Sequence, residues 1–84
     1  MSQIKKYFPD LWQKGKELFL QSDYFKIVQE DPNYHHLDLD GQVDEAMARA
    51  IGDNGEKELN KTLFEKISDW VSNVWKRIGS KFGI

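Results

Sequence analysis

Three features of this 84-residue chain predict an all-α fold, a small single-domain helical bundle of four to five helices. Apolar residues recur at helical spacings instead of alternating as a strand requires. Gly and Pro punctuate segments of helical length, and the C-terminal third carries a long amphipathic pattern. At 9.9 kDa the chain is one domain, residues 1–84, which excludes multi-domain enzymes. A chain of this size buries about 60% of its unfolded surface, so its stability margin is small. Hydrophobic residues at 39% and charged residues at 31%, with two Pro, describe a foldable domain and not a polar tail.

The first helix is expected over 9–21. Phe8, Leu11, Trp12, Leu18 and Phe19 align on one face, and Pro9 suits a first helical position, where a missing N–H is no loss. Residues 2–7 can add a turn, with Ser2 as its cap and Ile4 one turn before Phe8. Gly15 weakens the middle of this helix and marks a close contact with another helix. A second helix over 23–30 takes Ser22 as its cap and buries Tyr24, Phe25, Ile27 and Val28. It ends by Asp31, because the residue before Pro32 is pushed out of the α region.

Residues 31–40 form a loop of turn formers, after which Asp40 is placed to cap a third helix over 41–51, with Gly52 as its stop. Val43, Ala46, Met47, Ala50 and Ile51 form its apolar face, and Asp53-Asn54-Gly55 turns the chain. In the last helix, Leu59, Leu63, Phe64, Trp70, Val71, Val74, Trp75, Ile78 and Phe82 fall within roughly 80° either side of Ile67 on a helical wheel. Glu56 and Asn60 also land in that arc, so a helix continuous from residue 56 would bury polar groups. A break is therefore expected near Asn60–Thr62, with Thr62-Leu63-Phe64-Glu65 as a capping box and the helix over 61–82. Trp12, Trp70 and Trp75 are expected to anchor the core between the first and last helices.

Charge is segregated beneath a net −2. Residues 1–22 balance to +2, residues 23–58 to −7 and residues 59–84 to +3, so basic ends flank an acidic middle. There is no Cys, which excludes disulfides, thiolate metal sites and thiol nucleophiles. Asp38-Leu39-Asp40-Gly41-Gln42-Val43-Asp44 resembles the middle of a calcium loop. Aligned on Gly41, however, its first and twelfth ligand positions are His36 and Met47, so calcium binding is not expected. His35 and His36 are adjacent and point apart, which makes them poor joint ligands for zinc. No serine sits in a nucleophile-elbow context, and the expectation is a non-enzyme without metal or cofactor. No purely apolar run exceeds the three residues of Leu18-Phe19-Leu20, which cannot span a bilayer, and the start lacks a signal core, so a cytoplasmic protein is expected. Three terminal bases beside an acidic middle make a poor phosphate footprint, and nucleic acid is not an expected partner.

The order Tyr7-Phe8-Pro9-Asp10-Leu11-Trp12-Gln13-Lys14-Gly15-Lys16-Glu17-Leu18, then Asp31-Pro32-Asn33-Tyr34, then Asp44-Glu45-Ala46-Met47-Ala48-Arg49-Ala50-Ile51-Gly52 resembles a known helical region. It is similar to the part downstream of the HExxH helix in zincin-like metallopeptidase domains of large polyvalent proteins, which phages and conjugative elements of gut bacteria encode. The likeness runs on through a Trp-containing tail, Leu63 to Phe82. It implies that Glu45 stands where the family places a third zinc ligand. This chain has no HExxH, so Glu45 is at most a vestigial ligand position, and on the residues alone it is a solvated first-turn carboxylate.

Two functions remain open. One is a non-catalytic helical domain, a fragment or relative of a mobile-element metallopeptidase-like protein, acting as a monomer through protein contacts. The other is a small effector whose basic amphipathic C-terminal helix, with Trp75, Lys76, Arg77, Lys81 and Phe82, docks on a membrane surface or partner protein.

Overall fold

The computed structural model describes the backbone of residues 3–82 and the side chains of residues 4–80. Ser2 as a cap and the side chains of Lys81 and Phe82 lie outside the described residues. Five helices form: α1 (Gln3–Tyr7), α2 (Pro9–Phe19), α3 (Asp23–Glu30), α4 (Leu39–Asp53) and α5 (Lys61–Phe82), with a 3₁₀ turn at Pro32–Tyr34. There is no strand among the described residues, and the domain is all-α.

The junction of α2 and α3 is stitched by one buried hydroxyl. Ser22 Oγ donates to the Phe19 carbonyl at 2.7 Å and accepts from the Phe25 N–H at 3.1 Å, so it closes one helix and caps the next. This ends α2 at Phe19, two residues before the expected 21. Asp31 leaves the helical region at ψ 117°, as the residue before Pro32 must.

Two caps differ from expectation. Asp38, not Asp40, caps α4, with Oδ1 accepting from the Gly41 N–H at 2.8 Å; the helix therefore starts at Leu39. Asp40, released from capping, turns to Lys16 at 2.7 Å and Lys5 at 3.1 Å. The stop also moves. α4 runs past Gly52 to Asp53, and Asn54 takes the left-handed conformation at φ 57°, followed by Gly55 at φ 79°. Before α5 the expected break is present, but the cap is Asn60, whose Oδ1 accepts from the Leu63 N–H at 2.9 Å, so Thr62 lies inside the helix.

The core draws Leu11, Trp12 and Phe19 from α2, Tyr24, Phe25 and Val28 from α3, Val43, Ala46, Met47 and Ala50 from α4, and Ile67, Trp70, Val71 and Val74 from α5. Phe19 sits between the edges of Tyr24 and Trp70, with ring centroids 6.4 and 5.0 Å away. At Gly15 the α2 backbone lies against the Trp70 indole, whose Nε1 donates to the Leu11 carbonyl at 3.0 Å. This is the close helix contact expected of Gly15.

Trp70 joins α2 and α5 as expected, through the Leu11 carbonyl, and Trp12 is buried but turns its Nε1 to Asp44 of α4 at 3.2 Å; Trp75 does neither. It is 55% exposed, because it lies at the margin of the α5 apolar arc, whose centre Ile67, Trp70, Val71 and Val74 already fill. Two further apolar side chains expected inside are also outside. Ile27 falls off the arc spanned by Tyr24, Phe25 and Val28, and Leu59, which precedes α5, is 89% exposed.

Candidate functional site

The distal half of α5 combines a buried stripe with an unburied aromatic. Val71 and Val74 bind the helix to the core, and the next residue round the helix, Trp75, projects outward. Beside it Ser68, Val71 and Ser72 of α5 and Asn54 of the α4–α5 turn form a shallow depression of about 290 Å³. Small side chains on that flank leave the indole uncovered. Trp75 makes no hydrogen bond or ring contact with a described residue, although a buried Trp usually satisfies its N–H.

The basic residues grouped with it in the sequence separate in space. Lys76 is exposed and forms no ion pair with a described residue. Arg77 turns to α2 and grips Asp10 with both terminal nitrogens, at 2.8 and 3.4 Å. That guanidinium holds the Asp10 carboxyl below the usual carboxylate range. Arg77 is thus a strap between α2 and α5. It closes one end of an open groove of about 640 Å³ between the two helices, whose walls include Lys14 and Glu17 of α2 and Lys66 and Asp69 of α5.

Glu45 occupies the second turn of α4 and not the first, because the helix begins at Leu39. Its Oε1 lies 3.6 Å from Arg49 Nε, and Arg49 also donates to the Tyr34 hydroxyl at 3.2 Å while stacking over that ring. The Tyr34 hydrogen bond, followed by the charge of Glu45, raises the Arg49 pKa above its ordinary value. Glu45 therefore belongs to a surface ion pair. Among the described residues no three His, Asp or Glu side chains converge to hold a metal ion. His35 Nε2 lies 3.1 Å from the Gln29 carbonyl.

The sequence pattern did not disclose a second polar assembly, in the 53–60 connection. Tyr24 donates its hydroxyl proton to Asp53 Oδ1 and accepts from the Lys57 N–H at 2.9 Å. Burial first, and then the Asp53 carboxylate, push the Tyr24 phenol up. Glu58, 7% exposed, accepts from the Asp23 N–H at 2.8 Å, and Asp23 accepts from the Leu59 N–H at 2.9 Å. The only sequence signal was the placement of Asp23 and Tyr24 at a helix start, which does not name their partners 29 to 36 residues on.

Among the described residues no helix is long and apolar enough to cross a membrane. Comparison of the chain with protein-family models, curated proteins and solved structures finds no match.

Proposed function

We propose that this chain is a non-catalytic interaction module that docks a partner protein on the Trp75 face of α5. The observation that carries this reading is the 55% exposure of Trp75 on a helix whose apolar centre is otherwise buried. A lone aromatic beside a shallow depression, with an unpaired Lys76 next to it, has the make-up of a binding hot spot. The fitting partner offers an apolar slot for the indole and a carboxylate within reach of Lys76. A membrane surface fits less well, because an interfacial helix needs a free apolar stripe. Here Ile67, Trp70, Val71 and Val74, which would form that stripe, are 0–4% exposed and packed inward.

The module acts in the cytoplasm as part, or as a relative, of a mobile-element metallopeptidase-like protein. Support for that setting comes from the resemblance of residues 7–52, and an in-frame HExxH in the DNA upstream of Met1 tests it.

Trp75→Ala tests the docking face directly. The variant should unfold within about 0.5 kcal/mol of the parent, as for other surface substitutions. It should also lose whatever protein the parent retains from a host extract, while Leu59→Ala, which removes another exposed apolar group, retains it. Retention by Trp75→Ala, or sedimentation of the parent with anionic vesicles, would defeat the proposal. A large loss of stability would show instead that Trp75 supports the fold.

A further inference from the structure

The turn between α4 and α5 carries a chemically reactive pair, Asn54 and Gly55. Asn33, Asn60 and Asn73 precede Tyr34, Lys61 and Val74, whereas Asn54 precedes a glycine, whose backbone nitrogen no side chain shields. Asn54 is exposed, and its side-chain amide makes no hydrogen bond with a described residue. The fold nevertheless keeps the pair apart. With Asn54 at φ 57° and ψ 32°, the Gly55 nitrogen turns towards the Asn54 nitrogen and away from Cβ, out of reach of Cγ. The Gly55 N–H is also engaged twice, donating to the Ala50 carbonyl and to Asp53 Oδ1, each at 3.1 Å. Asp53 Oδ1 is itself fixed by the Tyr24 hydroxyl, which accepts from the Lys57 N–H, so the turn stays closed while the 53–60 connection lies on α3.

We propose that Asn54 is a site of spontaneous deamidation, closed in the folded chain and unlocked when the α4–α5 turn opens. Turns of this kind open locally at a smaller free-energy cost than global unfolding. Once ψ of Asn54 is free to rotate, the Gly55 nitrogen attacks Cγ. A bond forms between them, the Cγ–Nδ2 bond breaks, and Nδ2 leaves as ammonia with the Gly55 amide proton. Water then opens the five-membered imide, at Cγ to give aspartate or at the main-chain carbonyl to give isoaspartate, whose backbone runs through Cβ. Isoaspartate lengthens the main chain by one carbon, so the left-handed cap and the Gly55 bond to Ala50 cannot be rebuilt. Either product adds a carboxylate to the depression that Asn54 shares with Ser68, Ser72 and Trp75. Repulsion of a carboxylate-bearing partner by that new charge rests on the docking reading of Trp75; the chemistry itself does not.

The test incubates the chain at pH 7.5, folded in buffer and unfolded in urea, and locates the exchange of ammonia for water by mass spectrometry of proteolytic fragments. In urea Asn54 should react before Asn33, Asn60 and Asn73, and faster as pH rises, because the nitrogen attacks without its proton. Folding should slow Asn54 by about tenfold or more, since an opening free energy of ~1.4 kcal/mol already gives that factor. The slowing should match the hydrogen-exchange protection of the Gly55 amide. Tyr24→Phe, which removes the hydroxyl that holds Asp53 and Lys57, should reduce the slowing and the protection together. An unfolded chain that reacts first at another asparagine, a folded chain that reacts as fast as the unfolded one, or a slowing that Tyr24→Phe leaves unchanged would overturn the proposal. If Tyr24→Phe fails to fold, the match between slowing and Gly55 protection in the parent decides the matter alone. Trp75 enters none of these measurements, so failure here leaves the docking face standing, and the reverse.

Discussion

An alanine at position 15 would suit α2 better than glycine by about 1 kcal/mol on propensity alone. Its β-carbon, however, would stand 2.7 Å from Trp70 Cε2 and Nε1 and 2.8 Å from Met47 Cε. The methionine methyl can swing away. The indole cannot, because it is buried, braced by Phe19 and held by its hydrogen bond to Leu11. Overpacking of that kind costs about 1–3 kcal/mol, so Gly15→Ala should lower the urea midpoint despite its helical advantage. A raised midpoint would show that the two helices can move apart. The sequence exposed this contact because a glycine inside a strong amphipathic pattern needs a reason. It did not separate Trp70 from Trp75. Both lie inside the apolar arc, and their different fates depend on which neighbouring element covers each edge of α5, information that one helix does not contain.

At the scale of elements, period and punctuation were enough to place the long helices, whereas their first residues depended on competition among polar side chains. Asp38 and Asp40 are both able to cap α4. The choice falls on Asp38 because Asp40 finds Lys5 and Lys16, on helices distant in sequence. Asn60 takes precedence over Thr62 in the same way, by accepting from Leu63. The two aspartates should thus respond differently to removal. Asp38→Ala should lose about 1 kcal/mol at any ionic strength, the usual loss for a cap. Asp40→Ala should show a loss that fades in high salt, because exposed ion pairs are screened. Its contribution, like that of Asp10, is present at neutral pH and disappears as pH falls below 3.8, since cations hold both carboxyls below the usual range. Thermal melts of the two variants in low and high salt distinguish the roles, and equal salt dependence would refute them.

In the molecule as a whole, the core is closed by contacts between the two ends of the sequence. Trp70 Nε1 meets the Leu11 carbonyl across 59 residues, and Arg77 meets Asp10 across 67. The charge segregation read from composition is realised in part, through Lys5 and Lys16 on Asp40, but among the described residues the longest-range ion pair joins the two basic ends to each other through Asp10. A chain cut after Asp69 retains α1 to α4 and lacks Trp70, Val71 and Val74, which together fill the centre of the core. It should show weak helical circular dichroism and no cooperative melt; a cooperative melt would mean that α2 to α4 form a core of their own. Helices shorter than about 12–15 residues are marginal without tertiary support, and α2 and α3 have 11 and 8 residues. Synthesis from the N-terminus therefore leaves the nascent chain without its closing helix until α5 has been made. The Trp12 and Phe19 side chains emerge from the ribosome long before Trp70 does. Folding of this domain therefore waits for α5, and until Trp70 and Val74 arrive the apolar faces of α2 to α4 stay open to chaperones and proteases.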